Sequence, residues 1–218
     1  IRWSAAVIDE HFMLILFGIP VGICGGLAAV ALNHSIEFCS EFLHRFYTGW
    51  YYLIFPAIGA VLSIFVLSTV FREGAGHAIP AVIHSVSCKG GLLRFRSSIS
   101  HLLGCLCTIS FGGSAGPEAP VVVSGSSIGS SIARLFSLNE RQRITMVGCG
   151  TAAAISAIFN APIAGIVFAV EIILGEWASM NLVPIAIASV VATQTSRILS
   201  GNQIPFEHIP FQFTTIDV

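Results

Sequence analysis

Long uncharged apolar runs, separated by short polar connections, set the pattern of this chain. The first runs from Phe12 to Leu32, 21 residues without a charge, which matches the roughly 20 apolar residues a membrane-spanning helix needs. Within it Gly18, Gly22 and Gly26 recur every fourth residue. They share one helix face, a small-residue stripe that lets another helix approach closely. A second uncharged run covers 51–71. A third region, 97–133, carries Glu118 as its one charge and is broken at Phe111-Gly-Gly-Ser-Ala-Gly-Pro117. A fourth, 144–170, is broken at Phe159-Asn-Ala-Pro162, and a fifth covers 178–196. The tail, 201–218, is polar and contains Pro, which predicts a loop.

The breaks carry information. Pieces such as 97–110, 119–133 and 161–175 are short for full spans, so they read as half-helices or strongly tilted helices. Irregular backbone at membrane depth survives only where it is buried in protein or lines a cavity. Broken helices that meet near the midplane point to a transport site.

Composition supports this reading. Of 218 residues, 55% are hydrophobic and 10% charged, against about 25% charged in soluble domains, and the mean hydropathy is +0.86. An ordinary cytosolic enzyme and a disordered chain are excluded. The net charge of -1 offers no basic footprint for nucleic acid. The expected class is a multi-pass integral membrane protein, all-α, in a cell membrane or bacterial inner membrane. Basic residues cluster at Lys89/Arg94/Arg96 and Arg141/Arg143, candidates for the cytoplasmic side, but half-spanning segments between them leave the orientation open. The six Cys fit no zinc spacing and are expected as small buried apolar side chains. The seven His are scattered, so no metal site is expected. No cleavable signal peptide is evident, and the start at Ile1 suggests a fragment.

Three stretches share one design: Gly76-His77-Ala78-Ile79-Pro80, Gly116-Pro117-Glu118-Ala119-Pro120 and Phe159-Asn-Ala-Pro162. Each places Pro just before an apolar helical stretch, as at a first helical position, where the missing N–H costs no bond. The neighbouring N–H groups then lie at the positive end of a helix dipole, a ready anion site. Several such ends aimed at one point would replace the hydration shell of a small anion without the tight grip of a full positive charge.

Glu118 sharpens this picture, because it is the one acid between residues 97 and 139. A charge at membrane depth costs roughly 2.5–3.5 kcal/mol on insertion scales, so such residues are usually functional. At a helix start the dipole favours its ionised form by about 0.3–1 kcal/mol. The carboxylate can occupy the place of a permeating anion and leave when protonated, which makes it a candidate gate or proton carrier.

These residues resemble a family, the CLC chloride channels and chloride/proton antiporters. Gly116 to Gly129 is similar to its G-x-E-G-P signature, Gly76 to Pro80 to its G-S-G-I-P signature, and Phe159-Asn-Ala-Pro-Ile-Ala-Gly165 with Glu171 to its F-N-A-P-L-A-G helix and trailing acid. The resemblance covers nearly the whole chain. It implies a homodimer in lipid with one anion pathway per subunit, chloride as the bound and transported ion, and no cofactor. It implies two inverted repeats of tilted, broken helices, of which residues 1–218 look like the first, N-terminal half. The second repeat's G-x-F-x-P start and anion-contacting Tyr find no match. Glu118 falls on the gating glutamate, the N–H groups around Ala119 on the outer anion site, and the region around Ile79 on the inner one.

Three departures follow from the same alignment. His77 stands where the family usually has a Ser that donates to the anion; imidazole can donate one N–H, or add a charge when protonated. The antiporters' inner proton-transfer glutamate aligns with Ile172, while Glu171 matches an acid one residue earlier. Ile carries no proton, and successive helical residues point about 100° apart, so Glu171 is at most a possible proton path. Ala78 and Ala119 replace signature glycines, and the extra methyl is expected to narrow the path or to shift backbone N–H groups. The expectation is therefore a gated anion channel, with a chloride/proton antiporter as the alternative.

Two other classes compete. Gly112-Gly-Ser-Ala-Gly116 superficially resembles an intramembrane serine protease with Ser114 as nucleophile. That chemistry needs a base within hydrogen-bond reach; the only His after Ser114 is His208, in the polar tail, and His101 lies thirteen residues before the Ser. A purely structural subunit is the other, and Glu118 argues against it. The chain is not expected to be an enzyme.

Overall fold

The computed structural model describes residues 2–44, 54–70, 78–175 and 179–201. Among these the regular elements are all helical, with no strand. Helix α1 covers Arg2–His44, α2 Phe55–Phe65, α3 Ala78–Lys89 and α4 Phe95–Ser110. Then come α5 at Glu118–Leu135, α6 at Glu140–Phe159, α7 at Pro162–Phe168 and α8 at Ser179–Ser200. Helices α2 and α7 run on into π-helical turns, Val66–Val70 and Ala169–Leu174. The breaks between α4 and α5 and between α6 and α7 fall where the sequence places them. The first apolar run is the middle of a much longer helix, the 43 residues of α1. Two stretches, Phe12–Leu43 and Leu182–Ser200, are long and apolar enough to cross a membrane.

Helix α6 is the centre of the bundle. It is buried without interruption from Thr145 to Ile158, and a helix buried all round must offer small or apolar side chains on every face. Its Gly, Ala, Ser and Thr residues meet that demand. Helices α5 and α6 run antiparallel along one seam: a Cβ at Gly125 or Gly150 would fall on the main chain of the other, and one at Gly129 on the Met146 carbonyl.

The Gly18/Gly22/Gly26 stripe finds its partner in α8. A Cβ at these positions would stand 3.0, 2.7 and 2.9 Å from the carbonyl oxygens of Pro184, Ala188 and Ala192. Both helices step by four residues in the same direction, so they lie parallel. Buried hydroxyls tie the layers together: Ser98 donates to Ser124 (2.8 Å), Ser126 bonds Thr151 (2.7 Å) and Ser156 bonds Ser189 (2.6 Å). Interhelical bonds of this kind average about 0.6 kcal/mol in membrane bundles, so they fix register more than they supply stability.

The α3–α4 turn uses the left-handed region at Gly90 (φ 55°) and Gly91 (φ 74°), which glycine enters without steric cost. Ser130 Oγ donates to the Gly91 carbonyl (2.7 Å), and Arg143 Nε donates to that of Gly90 (2.6 Å). These bonds moor α3, and with it the Ala78–Pro80 helix start, to α5 and α6.

Candidate functional site: an open helix start beneath a carboxylate

Helix α5 begins at Glu118, with Pro117 as N-cap (φ -75°, ψ -7°) and no side chain capping it. The first intrahelical bond runs from the Val121 N–H to the Pro117 carbonyl, 3.1 Å. The Glu118 and Ala119 amides therefore lie ahead of the ladder, at the positive end of the dipole. The prolines sit differently from the sequence expectation. Pro120 and Pro80 are the third residues of their helices, and only Pro162 holds the first position. The physical logic survives, since an N–H at the third position also lacks a partner inside its helix. The shift leaves the first position of α5 to Glu118.

The Glu118 side chain curls back over its own helix start. A Cβ added to Gly116 would overlap its carboxylate, 2.7 Å from Cδ. Gly116 thus leaves the space into which the carboxylate folds. Glu118 is half-buried and lines a cavity of about 510 Å³. Phe159 and Asn160, from the α6–α7 break, line the same cavity. Two of the three sequence motifs therefore face one space.

The third motif lies beside it. Ala78 and Ile79 pack with Phe159 on the apolar cluster of Val82, Val122 and Val123. Val122 is one helical turn beyond Glu118. Pro80 is exposed. Gly76 and His77 lie outside the described residues.

The α6–α7 break is held in shape from α8. Asn160 closes α6 in the left-handed region (φ 53°, ψ 32°), and its Oδ1 accepts from Arg197 Nε at 2.6 Å. Ser189 Oγ donates to the Pro162 carbonyl at 2.7 Å. The α7 start has no side-chain cap, and its first bond is Gly165 N–H to Ala161 carbonyl, 3.2 Å.

Glu171 lies on the π-helical turn after α7 and is exposed, as is Ile172 beside it. Glu171 is not among the residues that line the Glu118 cavity, so the structure does not bring the two acids together there. His208 lies outside the described residues. Ser114 is exposed, whereas His101 lines a smaller cavity of about 160 Å³ that reaches Gly116 and Pro120 but not Ser114. The cysteines correct the sequence expectation. Cys105 and Cys149 are buried, but Cys24 and Cys88 are exposed and Cys39 and Cys107 are half-buried.

Sequence reasoning missed the far wall of the cavity. Asn33 and Glu37 of α1 and Ser196 and Ser200 of α8 line it. The available signal was the polar step Asn33-His34-Ser35 that ends the first apolar run. It marks a polar patch within α1, without saying which helix faces it.

Comparison with known proteins agrees with this architecture. The family model described as voltage gated chloride channel matches residues 59–217. A ClcB-like chloride channel protein of Ralstonia nicotianae is 28% identical over 93% of this chain and 50% of its own length. Chloride channel protein CLC-d of Arabidopsis thaliana is 28% identical, over 85% of this chain and 26% of its own. The solved structure of a CLC-type fluoride/proton antiporter superposes with a TM-score of 0.76 at 23% identity, covering 94% of this chain and 51% of that one. A slow cyanobacterial Cl-/H+ antiporter gives 0.69 at 21%, covering 89% and 48%. The fold is that of the CLC transport proteins. The chain belongs to the voltage gated chloride channel family, whose members are membrane proteins that move anions, and it spans about half or less of the length of these relatives.

Proposed function

We propose that this chain supplies one half of a pathway for small inorganic anions, chloride above all, with Glu118 as its gate. The observation that carries the reading is the start of α5. Amides without a side-chain cap stand under a single titratable carboxylate that lines a cavity. Ionised, the carboxylate takes the anion's place; protonated, it has no charge to hold it there, and an anion can succeed it. The Ala78–Pro80 helix start, with Gly76 and His77 before it, forms the inner station, and Gly116, Pro117, Ala119 and Pro120 frame the outer one.

A second repeat, or a second copy of this one, completes the path, and the working unit is a multi-pass homodimer in lipid. The relatives' greater length supports the first arrangement. Transport is passive in this reading, because Ile172 stands where the antiporters have their inner acid. The exchanger is the second reading, favoured by the two solved structures of similar fold, a fluoride/proton and a Cl-/H+ antiporter.

The test places the whole protein in liposomes under a chloride gradient and records anion efflux and external pH together. Chloride movement without protons is expected. Stoichiometric proton counter-movement would establish an exchanger, and would then require another acid, such as Glu171, on the proton's route. No anion movement at all would overturn the transport reading.

A further inference from the structure

The cavity that Glu118 lines has a second carboxylate in its wall, Glu37 of α1. Glu37 is not isolated. Its Oε2 lies 3.4 Å from His34 Nδ1, one turn earlier on the same helix. The other ring nitrogen of His34 is 3.3 Å from Ser200 Oγ, on α8. The imidazole thus bridges α1 to α8 at the rim, held from both sides, with one nitrogen facing the acid.

We infer that Glu37 is a second acid of the same anion path and that His34 sets its effective charge. The inference rests on the reading of the Glu118 cavity as that path. The other groups near the rim are few. Glu41 lies one turn beyond Glu37 on α1. From α8 comes Arg197, whose guanidinium is engaged with Asn160. The other lining residues from α4 and α6 are uncharged, Cys107 of α4 lies near Cys39 of α1, and α5 contributes Glu118 itself. Glu207 and His208 lie outside the described residues.

With His34 neutral, an anion entering the cavity meets two carboxylates. Imidazole changes charge in the range between about pH 5 and 8. Protonated, His34 sets a positive charge against Glu37 and cancels it toward the cavity. Acid on this side therefore admits anions, independently of any proton on Glu118. Because Glu37 and His34 are each more than half exposed, the effect is electrostatic and screened by salt.

The experiment uses the whole protein in liposomes, with chloride efflux measured at about pH 7.5 and about pH 5.5 on the cavity side. Glu118→Gln serves as background, since it removes the titration of Glu118. In that background, efflux is expected to rise about two- to fivefold on acidification, the scale of an exposed charge acting on a nearby one. Adding Glu37→Gln should raise efflux at pH 7.5, because an anion entering the cavity then meets neither carboxylate. Adding His34→Ala should flatten the response at the low, neutral-pH rate. Raising ionic strength should shrink the response wherever His34 is present. A flat profile in Glu118→Gln alone, or an unchanged profile in both double variants, would overturn the inference. If Glu118→Gln itself leaves flux and its pH profile as in the wild type, it is the Glu118 gate that fails.

Discussion

Helices α5 and α6 lie along one glycine seam and start at opposite ends of it, yet the two starts are built differently. At the α6 start Asn139 accepts from the Gln142 amide at 2.9 Å while the Gln142 side chain accepts from the Asn139 amide at 2.9 Å. That reciprocal box satisfies two of the orphan donors with permanent neutral partners. At the α5 start no side chain caps the amides, and only the Glu118 carboxylate folds back over the end. A missing cap does not by itself mark a site, since α2 and α4 also lack one. What sets α5 apart is that its cover is titratable, half-buried and inside a cavity. One helix end is closed for good, and the other by a group that can lose its charge and move.

Glu118→Gln should break this difference most severely. The amide carries no charge to compete with an anion, so flux should change by about tenfold or more and lose most of its acid response. Liposome efflux across a pH series checks this. Gly150→Val comes next. Its side chain would meet the Gly125 main chain, and overpacking of this kind costs about 1–3 kcal/mol. The expected result is a lower thermal midpoint in detergent and less folded protein, for a reason unrelated to gating.

Gly116→Ala separates the two roles more finely. Its methyl would occupy the place of the Glu118 carboxylate and push it off the helix start. Flux should shift in the same direction as in Glu118→Gln, by a smaller factor of about two to three, in line with the roughly 0.3–1 kcal/mol of a charge at a helix end. The double variant should match Glu118→Gln alone. Asn139→Ala should have the smallest effect on transport. Loss of the cap costs about 1 kcal/mol of stability, read as a lower thermal midpoint with efflux and its pH profile unchanged.

Much of this contrast was legible in the sequence because it is local. A Pro-Gly interruption of an apolar run shows where α4 stops and α5 starts, and a lone acid two residues before Pro120 stands out in the otherwise uncharged stretch 97–133. The Gly18/Gly22/Gly26 stripe announced a close helix contact. Its partner was not legible, because α8 lies more than 150 residues away in the chain and nothing local pairs Gly22 with Ala188. For the same reason nothing in the sequence brings Glu37 and Ser200 together until α1 and α8 are laid side by side. The proline offsets depend on where the first turn begins, which side-chain type alone does not specify. Exposed Cys24 and half-buried Cys39 show the limit of hydropathy on α1. In an apolar run, periodicity says little about which face turns inward.

The most direct test asks whether an anion takes the carboxylate's place. Crystals of the Glu118→Gln protein grown in bromide would locate the ion by its anomalous scattering, with wild-type crystals at neutral pH as the reference. The account predicts bromide within hydrogen-bond reach of the residue 118 and Ala119 amides in the variant, where the wild type holds its carboxylate. Bromide sites elsewhere, with the start of α5 empty in the Gln variant, would contradict it.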